Sequence, residues 1–270
     1  MLVLEPYYDS YAACVSMAGA VRVTVTLRAP GFRLDLDALR DAVTPRTRMI
    51  LLNSPHNPTG TVLTSEELSA IARLAVEHDL LAVTDEVYEH LVYDGAQHVP
   101  LAAFPGMRER TVSVSSAGKT FSFTGWKVGW VTGPARLVTS VRLAKQYLTF
   151  ASSGPFQFAV ADGLRLPDSY FHGVRENLEA KRDILSEGLA RAGFRVQRPQ
   201  GTYFVTVDIT PLGESDGVEF CRALPHRCGV VGIPNAVFHD DKEAGRSQVR
   251  FAFCKERAVL GEAVKRLSRL

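Results

Sequence analysis

The sequence has 270 residues, 46% of them hydrophobic and 22% charged, the balance of a soluble chain that buries a sizeable core in one large or two ordinary domains. Thirty-one basic against twenty-nine acidic side chains leave a net charge of +2 with no block of like charge, which excludes nucleic acid and anionic membrane surfaces from the expected partners. Cys14, Cys221, Cys228 and Cys254 show no metal-ligand spacing and are read as reduced, small buried hydrophobes of a cytoplasmic protein.

At the start, residues 1–4 are apolar but Glu5-Pro6 follows at once, too soon for a signal peptide or a membrane helix. Short runs rich in β-branched residues then predict buried strands over 21–27, 49–52, 80–84, 111–114 and 128–132. Thr64 followed three residues later by Glu67 is a capping-box signature, and Leu68, Ile71, Ala72 and Ala75 continue it as an apolar stripe. Strand, helix, strand over 49–84 is a parallel crossover, so an α/β sheet is expected over about 1–160. Gly125, Gly129 and Gly133 are read as strand and turn glycines. Beyond residue 160 a long charged helix near 169–192 and alternating strands over 201–209 and 248–254 predict a smaller α+β domain, 161–270.

Three predicted strand ends carry polar residues together, and in an open α/β sheet ligands bind at such ends. The first reads Asn53-Ser54-Pro55-His56-Asn57-Pro58-Thr59-Gly60, the second Asp85-Glu86-Val87-Tyr88, the third Ser115-Ser116-Ala117-Gly118-Lys119. Taken singly they are a turn, a helix cap and a surface lysine. Gly118-Lys119-Thr120 also ends like a nucleotide-binding loop, but the glycine required five places before Gly118 is Ser113. In the strand over 248–254, Val249, Phe251 and Phe253 share one face, which leaves Arg250 beside small Ala252 and Cys254 on the other, with room to reach a ligand.

Asn57-Pro58-x-Gly60, Asp85-Glu86-x-Tyr88, Ser115-Ser116-x-Gly118-Lys119-Thr120-Phe121 and Gly125-Trp126-Lys127-x-Gly129, in this order and spacing, resemble the class I/II aminotransferases of the fold type I pyridoxal-phosphate enzymes. The likeness is strongest to the kynurenine and glutamine transaminase and actinobacterial N-succinyldiaminopimelate aminotransferase branch. It implies an α/β fold with a mostly parallel sheet flanked by helices and a smaller C-terminal domain. It also implies a homodimer that uses pyridoxal 5'-phosphate to move an amino group from an L-amino acid to a 2-oxo acid.

The resemblance assigns roles. Lys119 would hold the cofactor as a Schiff base and move the substrate α-proton. Asp85 would face the protonated pyridine nitrogen, Tyr88 and Asn57 the phenolic oxygen, and Ser116 and Lys127 the phosphate. Tyr8, second aromatic after Pro6, would stack on the ring. Arg250, helped by Asn53, would grip the substrate carboxylate.

Family members are usually much longer at the amino end, which implies a start inside the large domain. Such a start would omit an arm, one strand and a helix terminus that binds the phosphate. Two alternatives stand beside the transaminase: a carbon–sulfur β-lyase on the same fold, and a fragment serving only as a binding or dimerising module. The donor's side chain is left open.

Overall fold

The computed structural model describes residues 1–270. Six apolar runs form one sheet: β1 (Leu2–Glu5), β2 (Val23–Thr26), β3 (Met49–Asn53), β4 (Leu81–Asp85), β5 (Thr111–Ser116) and β6 (Gly129–Thr132), in spatial order β2-β1-β3-β4-β5-β6. The first five run parallel. Only β6 is antiparallel, with Ser116 opposite Gly129. β1 is an addition to the strands expected from sequence, and it lies inside the sheet rather than at its edge.

Around this sheet lie α1 (Ser10–Met17), α2 (Leu36–Asp41), α3 (Ser65–Glu77) and a single turn, α4 (Ala117–Thr120). The capping box of α3 forms as read: Glu67 N donates to Thr64 Oγ1 at 3.2 Å and Thr64 N to Glu67 Oε2 at 2.7 Å. Glu67 Oε1 also accepts from Leu34 N at 2.9 Å, so one carboxylate fixes both the helix start and the preceding segment. Leu68, Ile71, Ala72 and Ala75 then pack on Leu2, Leu4, Ile50, Leu52 and Ala82 as one buried core. Burying each large side chain contributes roughly 1.5–3 kcal/mol.

The chain continues through α5 (Ala135–Leu148), α6 (Gly154–Gly163) and α7 (Asp168–Arg191) to a second, antiparallel sheet. Its strands are β7 (Arg195–Gln197), β8 (Phe204–Asp208), β9 (Ile233–Pro234) and β10 (Gln248–Ala252), in order β7-β8-β10-β9. α8 (Gly217–Cys228) and α9 (Arg257–Leu267) complete this part. The second core gathers Leu178, Leu185, Val205, Val207, Phe251 and Phe253, and it reaches back to Tyr88, Leu91 and Tyr93 in the segment after β4.

Backbone bonds join the two parts where the strand ends lie. Gly60 O accepts from Gln200 N and Gly201 N, both at 2.9 Å, and Thr202 N donates to Leu91 O at 3.0 Å. Thr206 Oγ1 donates to Pro58 O at 3.1 Å. The turns after β3 and β4 are thereby held against β8, which makes them rigid walls rather than mobile loops.

The cysteine expectation needs correction. All four thiols are free, but Cys14 and Cys254 are exposed and Cys221 and Cys228 only half-buried. α1 contributes only Val15 to the core, and Cys254 lies just past β10, so neither site encloses its sulfur. No helix is long and apolar enough to cross a membrane.

Candidate active site

At the carboxyl ends of β3 and β4 a cavity of about 390 Å³ opens between the two sheets. Seven of the residues singled out from sequence line it: Tyr8, Asn53, Asn57, Asp85, Tyr88, Lys119 and Arg250. They come from the segment before α1, the ends of β3 and β4 and the turns that follow them, α4 and β10, so the fold assembles what the sequence scatters over more than 240 positions.

Asp85 closes β4 and is half-buried at the cavity wall. Burial pushes its carboxyl above the usual range, while the Tyr11 hydroxyl, the Val87 N–H and the charge of Lys119 pull the other way. Tyr11 donates to Asp85 Oδ2 at 2.6 Å and Val87 N to Oδ1 at 3.3 Å. No arginine or lysine ion-pairs with this carboxylate. Lys119 likewise makes no ion pair and no hydrogen bond; its Nζ lies 5.8 Å from the centroid of the Tyr203 ring. A carboxylate and an amine without ion-pair partners on one cavity form a donor set that awaits a ligand.

Asn53 spends its amide on the frame. Its Nδ2 donates to Asp85 O at 2.8 Å and its Oδ1 accepts from Asn57 N at 2.7 Å. Its contribution to carboxylate binding is therefore indirect, through the placement of Asn57. Asn57 Oδ1 in turn accepts from Arg250 Nη1 at 2.6 Å, which leaves the Asn57 NH2 unengaged within the protein. The alternation read in β10 holds: Val249, Phe251 and Phe253 are buried, and Arg250 takes the opposite face. Its guanidinium carbon lies 4.0 Å from the Phe204 ring centroid and 4.6 Å from that of Phe238. Two aromatic faces and one hydrogen bond hold that plane while its remaining donors stay available.

Tyr8 is 43% exposed, which rules out a core tyrosine; Tyr7, its neighbour, is the buried one. Tyr88 is buried, and its hydroxyl is pushed well above the usual range by burial first and by Tyr203 next.

Ser116 and Lys127 do not line this cavity. They stand together on the edge hairpin, where Ala117 N donates to Val128 O at 3.0 Å and Lys127 adopts a left-handed backbone, φ 54°. Behind the cavity, Glu86 Oε1 accepts from Thr84 Oγ1 at 2.6 Å and Ser113 Oγ at 2.9 Å, and Glu86 Oε2 meets His98 Nε2 at 3.1 Å. That knot pins the end of β4 to β5.

Sequence reasoning missed Tyr11 and the apolar walls Val87, Tyr203, Phe204, Ile233, Val237 and Phe238. The signal for Tyr11 is its spacing: it follows Tyr8 by three residues, a turn closed by Tyr11 N donating to Tyr8 O at 2.9 Å puts both rings on one side, and they meet edge to face at 5.7 Å.

The residues present fit pyridoxal phosphate. The cavity supplies an amine for the aldehyde, a half-buried carboxylate with no ion-pair partner for the ring nitrogen, and a separate planar cation for a substrate carboxylate.

Comparison with known proteins agrees. The sequence model of the family described as aminotransferase class I and II matches residues 1–267. A probable N-succinyldiaminopimelate aminotransferase of Mycobacterium tuberculosis is 53% identical, over 99% of this chain and 70% of its own length. A methionine aminotransferase of Escherichia coli is 36% identical, over 100% of this chain and 70% of its own. The solved N-succinyldiaminopimelate aminotransferase of M. tuberculosis superimposes with a TM-score of 0.97 at 54% identity, covering 99% of this chain and 70% of that one. All three are named as aminotransferases, and the lyase alternative draws no support from them.

Proposed function

From the premise that this chain belongs to the class I and II aminotransferases, pyridoxal-phosphate enzymes that pass an amino group from an L-amino acid to a 2-oxo acid, we propose a division of labour among its residues. The observation that carries it is the meeting of Lys119, Asp85 and Arg250 on one cavity. When bound, pyridoxal phosphate supplies an electron sink for the charge left on the substrate α-carbon. Lys119 is the amine that would hold the cofactor aldehyde and would carry the substrate α-proton. Asp85 keeps a negative charge facing the ring nitrogen. Tyr88 and the free NH2 of Asn57 serve the phenolic oxygen, Tyr8 covers the ring, and Ser116 and Lys127 take the phosphate. Arg250 fixes the carboxylate shared by donor and acceptor, which lets one site serve both half-reactions of a ping-pong cycle.

Residues 1–160 act as the cofactor-binding domain and 161–270 as the smaller domain that delivers Arg250. The walls beyond Arg250 include Tyr203, Phe204, Ile233, Val237 and Phe238. They support donors whose side chain is unbranched and uncharged near the α-carbon, a property that methionine and N-succinyldiaminopimelate share. The enzyme works as a homodimer. Tyr147, Leu148, Phe150 and Phe158, each at least 71% exposed around α5 and α6, support that reading, because large apolar side chains left in water so close in sequence mark an association surface. Four free thiols support a cytoplasmic location.

The test is spectral titration of the purified protein with pyridoxal phosphate, followed by an amino-donor panel. A saturable imine absorbance that is lost in Lys119→Ala, together with loss of turnover, is the expected result. Unchanged turnover in Lys119→Ala overturns the assignment, and absence of any imine in the unaltered protein favours a binding module.

A further inference from the structure

The hydrogen bond from Tyr11 to Asp85 lies outside the roles assigned above, and it joins the half-buried carboxylate of the cavity to α1. Tyr11 sits on the first turn of α1, after the turn that carries Tyr8. Its hydroxyl reaches across 74 positions of sequence to Asp85 Oδ2 at 2.6 Å. Burial, and then Asp85 itself, push the Tyr11 hydroxyl well above its ordinary range, so it stays protonated and acts only as a donor. The groups facing this pair are few. Lys119 approaches from α4 and Glu86 from the end of β4 on the Asp85 side, with Tyr8 and Tyr88 on the Tyr11 side.

We propose that Tyr11 is a positioning residue for amino-group transfer: its hydroxyl holds the Asp85 carboxylate ionised and in one orientation, so that Asp85 can face the cofactor's ring nitrogen. The inference rests on the aminotransferase reading and deepens it. A carboxylate drawn away from water without an ion-pair partner is prone to take up a proton. A protonated Asp85 would offer the ring nitrogen no negative charge, and a bound cofactor would then be a weaker electron sink. A hydrogen bond to an ionised acceptor counters this because it strengthens as charge appears on the oxygen. Val87 N, at 3.3 Å from the other oxygen, is too long to do the same alone.

Tyr11→Phe keeps the ring and its edge contact with Tyr8 while removing the donor, so packing and hydrogen bonding separate. The probe that isolates the ring nitrogen is 1-deazapyridoxal phosphate, in which C–H replaces it. We expect Tyr11→Phe to weaken pyridoxal phosphate binding about tenfold and to lower kcat by a similar factor, the size of one charge-assisted hydrogen bond. The KM for the amino donor and the affinity for the deaza analogue should stay within about twofold, because neither depends on Asp85 facing a ring nitrogen. Equal weakening of both cofactors would reduce Tyr11 to a packing residue and overturn the proposal. Wild-type affinity for pyridoxal phosphate and wild-type kcat would overturn it as well. Failure of the unaltered protein to form an imine at Lys119 is a separate outcome, read from its spectrum alone, and it removes the aminotransferase reading together with this one.

Discussion

Arg250 donates to Asn57 across the junction of the two sheets, from β10 to the turn after β3, at 2.6 Å. The same guanidinium lies against Phe204 and Phe238. Arg250→Lys keeps the charge but loses the planar fork and both stacking faces. The KM for amino donor and oxo acid should rise by about 10- to 100-fold with a smaller change in kcat, since carboxylate binding is common to ground and transition states. Steady-state kinetics with two unrelated donors checks this, and donor-independent loss is the expected pattern.

Stability should fall on mild acidification because of His56. The ring is buried, its Nδ1 is 2.7 Å from Thr59 Oγ1, and burial pulls its pKa down from 6.5 to about 4. The unfolded chain takes up the proton first, so the stabilisation is complete above pH 6.5 and is lost as pH falls toward 4. That amounts to about 2 kcal/mol between pH 7 and pH 5. The carboxyls of Glu5, Asp94 and Asp240 are held below their usual range and act in a lower window. Urea unfolding at the two pH values should show the loss in the unaltered protein and a flattened profile in His56→Gln.

Arg182 is 0% exposed and ion-pairs with Asp94 at 2.7 Å and Asp183 at 2.8 Å, while also donating to Pro199 O at 3.2 Å. Arg182→Ala should cost about 2–4 kcal/mol, from a cavity, an orphaned carbonyl and uncompensated carboxylates. Asp94→Asn should cost less, about 1 kcal/mol or under, because Asp94 is 45% exposed and water replaces the pair. Equal losses in denaturant melts would contradict the difference in burial.

Gly60 has φ +73°, and a Cβ there would meet the Pro199 Cβ at 2.2 Å. Gly60→Ala should therefore lose at least about 2 kcal/mol, from backbone strain plus overpacking. Gly95 has almost the same φ, +74°, with nothing within 4 Å. Gly95→Ala should lose only the backbone strain, about 1–2 kcal/mol, so comparing the two unfolding midpoints isolates the contact with Pro199.

What the sequence made legible was local. The apolar runs that end in Asp85 and Lys119 placed those residues at neighbouring strand ends, and alternation around Arg250 gave its free face. β1 was harder, because four apolar residues before a proline carry no alternation and no turn on the near side. α5 offers no buried residue and α6 only Val160, so their pattern has no inward stripe to detect. Tyr11 and Phe238 owe their roles to contacts across the chain, Tyr11 with Asp85 and Phe238 with Arg250. No short window contains such a pair. The cysteines were misjudged for the same reason, since enclosure depends on which neighbours the fold brings.

Lys119 stands on one sheet's side of the cavity and Arg250 on the other's, so a molecule that touches both works as a brace. Its binding free energy is withdrawn from the unfolding of either half alone, and a ligand at a hundred times its Kd adds about 2.7 kcal/mol to the whole. Filling the site should raise the melting temperature and shield the joint near Gly60 and Gln200 from proteases.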